Sequence, residues 1–102
     1  MDERELITRL GGPEKAWDVC TAVVNVVKSL RAHRRVPVGD VPLQFDAAIK
    51  YGMGRGRVPW EAGEALLSDL SLRTVQAINR VAGSKRELAK AWLLEGGKEG
   101  SG

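Results

Sequence analysis

The sequence predicts an all-α fold: a compact single domain of five or six helices with a disordered, glycine-rich C-terminal tail. Apolar residues recur at helical spacing along most of the chain, and glycine and proline divide these stretches into segments of helix length. Hydrophobic residues make up 43% of the 102 residues, which is enough for one modest core. Because domains commonly contain about 100–150 residues, we expect one helical domain over residues 1–95 and a flexible tail over residues 96–102.

Glycines separate the first two helices. Residues 2–10 are predicted to form a short helix that ends at Gly11 and Gly12, and Pro13 then stands where the first turn of a helix tolerates proline. The second helix covers about residues 13–34, and its length exceeds the roughly 3–10 residues of a typical strand. We expect it to be central and heavily buried. Its apolar face consists of Trp17, Cys20, Val23, Val24, Val27 and Leu30.

A connector with two prolines and a glycine, residues 36–42, leads to the third helix. This helix is predicted over residues 42–51, and Gly52 would supply its stop. A loop rich in glycine and arginine follows. The side chains of the third helix that we expect to face the core are Phe45, Ala48 and Ile49.

Three more helices are predicted after this loop. The fourth begins at Pro59 and the fifth covers residues 71–82. Gly83 separates the fifth from a sixth, which begins at Ser84 with Glu87 at capping-box spacing. The residues expected to face the core are Trp60, Gly63, Leu66, Leu67, Leu70, Leu72, Val75, Ile78, Val81, Leu88, Ala91, Trp92 and either Leu93 or Leu94.

Charge is arranged in blocks along the chain, although the net charge is only +3. Residues 28–57 contain seven basic and two acidic residues, residues 58–70 contain three acidic and no basic ones, and residues 71–102 contain six basic and three acidic ones. Two basic regions therefore flank an acidic one. Such blocks predict a polarised surface that attracts a polyanion, or a solvated surface without a partner.

The residue types present argue against catalysis, metal binding and membrane insertion. The single cysteine, Cys20, lies in an apolar stretch and is expected to serve packing. His33 is the only histidine, so a zinc site is not expected. There is no phosphate-binding loop or dinucleotide fingerprint, no apolar run near the roughly 20 residues of a membrane span, and no signal peptide after Met1. We expect a non-enzymatic protein without cofactor or metal, located in the cytoplasm or associated with the nucleoid.

The stretch over residues 51–60, here called the Gly–Arg segment, is the strongest functional indication. Its residues Gly54-Arg55-Gly56-Arg57-Val58-Pro59 resemble the Arg-Gly-Arg-Pro core of an AT-hook. The resemblance implies arginines inserted into the minor groove of A·T-rich DNA, where the negative potential is high. Val58 separates Arg57 from Pro59, so phosphate contact by Arg55 and Arg57 is an alternative, as is a loop with solvated charges. Tyr51 and Trp60 flank the segment and are candidate stacking platforms for unpaired bases.

Residues 72–94 resemble SAP-type DNA-binding motifs and also a helix-turn-helix. The resemblance depends on Gly83-Ser84-Lys85-Arg86-Glu87-Leu88, which matches the pattern Gly-Ser/Thr-Lys-x-x-Leu. It implies phosphate binding at a helix N-terminus, where backbone donors and the helix dipole favour anions. Ordinary capping on a solvated face is the alternative. The residues that would contact the phosphate are Ser84, Lys85 and Arg86, with Arg73, Arg80 and Lys90 extending the site.

The end of the second helix carries a third basic cluster. Lys28, Arg31, Arg34 and Arg35 lie within eight positions of one another, together with His33. Cations are expected at a helix C-terminus because of the helix dipole. The cluster is therefore either a phosphate-binding patch or a charged helix end.

These observations predict a non-catalytic nucleic-acid-binding protein, with DNA favoured over RNA, that contacts the phosphate backbone. The alternative is a protein–protein interaction or assembly module, such as an adaptor or a subunit of a virion or nucleoprotein. Such a module would self-associate through the Val-rich helix over residues 13–34 and form a homo-oligomer. The predicted contact residues are Arg31, Arg34, Arg35, Arg55, Arg57, Arg80, Ser84, Lys85, Arg86 and Lys90, with Tyr51 and Trp60 for stacking.

Overall fold

The computed structural model describes residues 1–37 and 39–83, and these residues form an all-α domain, as predicted. They contain no β-strand, and none of their helices is long and apolar enough to cross a membrane. The predicted sixth helix and tail, which include Ser84, Lys85, Arg86, Lys90 and Trp92, lie outside the described residues. The helices are α1 (Glu3–Arg9), α2 (Pro13–Ala32), α3 (Val41–Gly54), α4 (Trp60–Leu67) and α5 (Leu72–Gly83).

Helix α2 is the centre of the fold, and α1, α3 and α5 all pack against it. Its side chains Val23, Val26 and Val27 are almost fully buried. Burial of each such side chain stabilises the fold by about 1.5–3 kcal/mol, which outweighs the weak helix propensity of valine. These three residues are covered within the chain and are not available for self-association, whereas self-association through other parts of this helix stays a prediction.

Three helices end in the same hydrogen-bonded turn, the Schellman motif. In each, an N–H donates to the carbonyl five residues earlier: Gly12 to Ile7 at 2.9 Å, Arg35 to Leu30 at 2.8 Å, and Arg57 to Gly52 at 2.8 Å. This motif requires a left-handed residue just before the donor, and glycine is favoured there. Gly11 (φ 94°) and Gly56 (φ 72°) occupy that position after α1 and α3, whereas Arg34 (φ 55°) occupies it after α2.

Helix α3 continues beyond Gly52 to Gly54, so the predicted stop at Gly52 is wrong. Gly52 is buried and allows close packing, since a Cβ there would lie 2.6 Å from Val58 Cγ2. The residue that ends α3 is instead Gly56, through its left-handed backbone. Gly63 of α4 plays a similar packing role, because a Cβ at Gly63 would overlap the Met53 side chain.

Two apolar side chains that were expected in the core lie on the surface. Trp60 is 65% exposed and Leu72 is 54% exposed. Each is the first residue of its helix, α4 or α5, and so lies at a corner where the chain turns. Trp17 is half-buried, as are Leu67 and Leu70.

A buried polar contact joins the start of the chain to α5. The Met1 ammonium donates to Thr74 Oγ1 at 2.8 Å and to Asp69 Oδ2 at 3.1 Å. Thr74 Oγ1 also donates to the Asp69 carbonyl at 2.6 Å, and the Thr74 side chain is fully buried. Thr74 is thus a hydrogen-bonding centre inside an otherwise apolar core.

Replacing Thr74 with valine keeps the shape of the side chain and removes the hydroxyl. We expect Thr74→Val to lower the free energy of unfolding by about 1–3 kcal/mol, because buried partners lose their hydrogen bonds. Urea denaturation measures the change. Thr8→Val is the matched control, since Thr8 Oγ1 donates to the Arg4 carbonyl on an exposed surface. The control should change stability by less than about 0.5 kcal/mol, and equal effects of the two variants would contradict the role assigned to Thr74.

Two glycines of α3 provide a second paired test. Gly52→Ala should destabilise the fold by about 1–3 kcal/mol, because the new methyl group overpacks against Val58. Gly54→Ala should be neutral or should stabilise by up to about 1 kcal/mol, because open space surrounds Gly54 and alanine favours helix. Thermal unfolding followed by circular dichroism compares the two. Tolerance of alanine at position 52 would contradict the close packing of Val58.

Candidate nucleic-acid interface

The first candidate surface lies where α2 ends, and we call Arg31, Arg34 and Arg35 the α2 corner. Arg31 is held within the fold: its Nε and Nη2 donate to Gln44 Oε1 at 2.9 and 2.6 Å. Gln44 Nε2 in turn donates to the Pro37 carbonyl at 2.7 Å. Arg31 therefore ties the end of α2 to the start of α3, a role that its sequence context does not signal.

Arg34 has a left-handed backbone, which is uncommon for a residue with a side chain. This conformation costs an L-residue other than glycine on the order of 1 kcal/mol. Its side chain and that of Arg35 are exposed, and neither forms an ion pair among the described residues. The turn thus presents two arginines to solvent at the cost of local strain.

The second candidate surface lies between α3 and α4, and we call Tyr51, Arg55, Arg57 and Trp60 the α3–α4 corner. The Arg55 guanidinium lies over the Tyr51 ring, 5.1 Å from its centre. Arg55 and Arg57 are exposed and make no ion pair within the described part of the chain. These four predicted residues therefore flank one turn, with Tyr51 inside α3 and Trp60 at the start of α4.

The turn between α3 and α4 has a defined geometry. The N–H groups of Arg57 and Val58 both donate to the Gly52 carbonyl, at 2.8 and 3.1 Å, and the Val58 side chain is buried. Gly54 belongs to α3. The segment that resembles an AT-hook core is therefore a helix end and a tight turn, and it lacks the extended shape that the resemblance implies.

The two corners lie at opposite ends of α3. Arg31 contacts Gln44 in the first turns of this helix, whereas Arg55 directly follows its last residue. A helix of 14 residues spans about 21 Å. One phosphate group cannot contact both corners, but a polymer with repeated phosphates can.

Arg80 belongs to neither corner. Its Nη1 lies 3.1 Å from Glu3 Oε1, so it joins α5 to α1. The two helices form the sides of a shallow cleft of about 350 Å³ whose lining includes Arg4 and Arg73 but also Asp2 and Glu3. This cleft therefore contains both basic and acidic side chains, and Arg80 has Glu3 as its partner within the fold.

Acidic residues mark the other side of the α3–α4 corner. Glu61 and Glu64 are exposed on α4. Glu64 lies four positions after Trp60, so the two side chains share one face of the helix. The corner is therefore positive on the side of α3 and negative on the side of α4.

Cys20 is buried within α2 and serves packing, as predicted. Burial raises the pKa of the Cys20 thiol to about 12. At neutral pH the thiol is protonated, and a thiol is a much weaker nucleophile than a thiolate. Cys20 is thus unsuited to nucleophilic catalysis.

The fold and its two corners define a small all-α domain in which Arg34, Arg35, Arg55 and Arg57 are exposed and make no ion pair with another described residue. No protein-family model, curated protein or solved structure matches the chain. The geometry of the corners is therefore the basis on which a function can be assigned.

The backbone strain at Arg34 can be tested by exchanging residues between equivalent turns. Arg34→Gly should raise the free energy of unfolding by about 0.5–1 kcal/mol, because glycine adopts the left-handed conformation without a steric penalty. Gly56→Arg makes the converse change after α3, where nothing lies within 4 Å of the new Cβ, and should destabilise by a similar amount. Guanidinium denaturation measures both. A loss of stability in Arg34→Gly would mean that the Arg34 side chain supports the fold.

Proposed function

We propose that this protein is a non-catalytic nucleic-acid-binding protein, with DNA favoured over RNA, that holds the phosphate backbone at its two corners. One observation carries the proposal: Arg34, Arg35, Arg55 and Arg57 are all exposed, and none has an acidic partner among the described residues. The planar guanidinium group offers several donors that match phosphate oxygens. These arginines are therefore free to bind an external anion.

The strain at Arg34 supports a role in binding. A glycine at this position would favour folding, as it does after α1 and α3. Backbone strain of this kind is concentrated at functional sites. Arg34 carries a positively charged side chain at a turn where the backbone conformation disfavours any residue but glycine. This placement fits a residue that contributes more to the affinity for a partner than to the stability of the fold.

The spacing of the corners supports a polymeric partner. About 21 Å separates the two ends of α3, which is too far for a small phosphate ester and suitable for a nucleic-acid backbone. Location in the cytoplasm or at the nucleoid accords with such a partner. Outside the described residues, Ser84, Lys85, Arg86 and Lys90 remain proposed contacts that would enlarge the basic surface.

A protein–protein interaction module is the second candidate, and exposed leucines favour it. Leu43 of α3 is 48% exposed, and Leu72 also lies on the surface. Large apolar side chains on a surface mark a site of protein association where they form a contiguous patch. Sedimentation of the protein with and without DNA distinguishes the two functions, because a monomer that binds DNA would favour the first and a stable oligomer without affinity for DNA the second.

Binding to DNA should weaken steeply as salt concentration rises, because each phosphate contact releases bound counterions. Arg55→Ala and Arg57→Ala should each lower affinity and reduce the slope of log K against log salt by about 1. Fluorescence polarisation at several salt concentrations measures both quantities. Lys50→Ala is the control of equal charge change, since Lys50 Nζ pairs with Asp46 Oδ1 at 2.9 Å. A salt-independent affinity, or an equal loss in the Lys50 variant, would contradict phosphate binding at this corner.

A further inference from the structure

We infer that the α3–α4 corner binds an unpaired base of a single-stranded nucleic acid, in preference to a duplex. The inference rests on the proposed function and specifies its substrate. It depends on three properties of the corner: an exposed aromatic ring, charges of opposite sign on its two sides, and a turn that is rigid before binding.

Trp60 supplies the stacking surface. At 65% it is the most exposed large apolar side chain among the described residues. It directly follows Pro59, whose ring restricts the backbone at the start of α4. A base has an apolar face of similar size, and stacking on an aromatic side chain raises affinity by about 5- to 100-fold per base.

Tyr51 and Arg55 lie on the α3 side of the same turn. The Arg55 guanidinium covers one face of the Tyr51 ring at 5.1 Å, which holds this arginine beside the helix. The planar guanidinium can stack on a base and still donate hydrogen bonds from its edge to a phosphate. Trp60 is therefore the open platform, whereas Tyr51 positions Arg55.

The acidic side of the corner selects against duplex. Glu61 and Glu64 lie on α4 near Trp60, and they repel phosphates. A single strand can place its one row of phosphates along Arg55 and Arg57 and turn its uncharged bases toward Trp60. A duplex carries a second row of phosphates, which would approach the glutamates.

The turn is preorganised for this contact. The Gly52 carbonyl accepts hydrogen bonds from the N–H groups of Arg57 and Val58, and the Val58 side chain is buried. Arg57 and Trp60 are three residues apart, so their Cα atoms are separated by at most about 11 Å. One strand can therefore reach the arginine and the tryptophan together without rearrangement of the backbone.

The test measures the affinity of the full chain for three labelled probes of one sequence, about 16 nucleotides long: single-stranded DNA, the corresponding DNA duplex, and single-stranded RNA. We expect single-stranded DNA to bind more tightly than duplex. Trp60→Ala should weaken single-strand binding by about 5- to 100-fold and leave duplex binding unchanged, whereas Trp60→Phe should retain most of the affinity. Trp60 is exposed, so circular dichroism should show an unchanged fold in both variants.

Glu64→Gln provides an independent readout. It removes a charge without removing bulk, so duplex affinity should rise more than single-strand affinity. An unchanged ratio of the two affinities would count against the acidic side as the source of selectivity.

The outcomes separate the inference from the proposed function. Failure of all three probes to bind would overturn both. Equal affinity for single strand and duplex, with no effect of Trp60→Ala, would overturn the inference and leave the phosphate contacts intact. Tighter binding of single-stranded RNA than of DNA, with loss in Trp60→Ala, would support base stacking and overturn the preference for DNA.

Discussion

Burial of α2 is the constraint on which the rest of the fold depends. Its valines are covered by α1, α3 and α5, which are all shorter than α2 itself. To return along the central helix, the chain must reverse direction within a few residues. Schellman turns after α1, α2 and α3 achieve this, because they satisfy carbonyl groups at the helix end while the chain changes direction. The corners of the molecule are thus products of packing around α2.

The candidate binding surface arises from these same turns. Two of the three glycines of the Gly–Arg segment have structural roles: Gly52 admits Val58, and Gly56 supplies the left-handed turn. Arg55 and Arg57 are not needed for the turn and remain exposed. At the α2 corner, in contrast, arginines occupy both kinds of position. Arg31 joins two helices, whereas Arg34 has a strained backbone and faces solvent. Structural roles and exposure to solvent are therefore divided among neighbouring arginines.

The sequence predicts the helices well because periodicity and capping residues are local signals. The structure adds two caps of this local kind, because the side chains of Asp2 and Asp40 accept hydrogen bonds from the N–H groups of Glu5 and Leu43 at 2.8 and 2.9 Å. The sequence does not show which of several nearby glycines ends α3. That choice depends on Val58, which packs against Gly52 only after the chain has turned.

The site was less predictable than the fold. The sequence indicated four residues of the α3–α4 corner: Tyr51, Arg55, Arg57 and Trp60. Trp60 also fitted a core position, because the apolar spacing of α4 does not reveal how the first turn of this helix is oriented. The contact between Arg31 and Gln44 depends on how α2 and α3 pack, as does the placement of the two corners at opposite ends of α3. The sequence did not indicate the role of Thr74, since one of its partners, the Met1 ammonium, is distant in the chain.

The most direct measurement is an amide NMR titration of the full-length chain with single-stranded DNA at low salt. Among the described residues, we expect the largest shifts at Arg34, Arg35 and the Gly–Arg segment, with the buried amides of α2 unchanged. Shifts confined to the cleft between α1 and α5, or no shifts at concentrations where a basic surface should bind, would contradict the assignment of the two arginine corners as the binding surface.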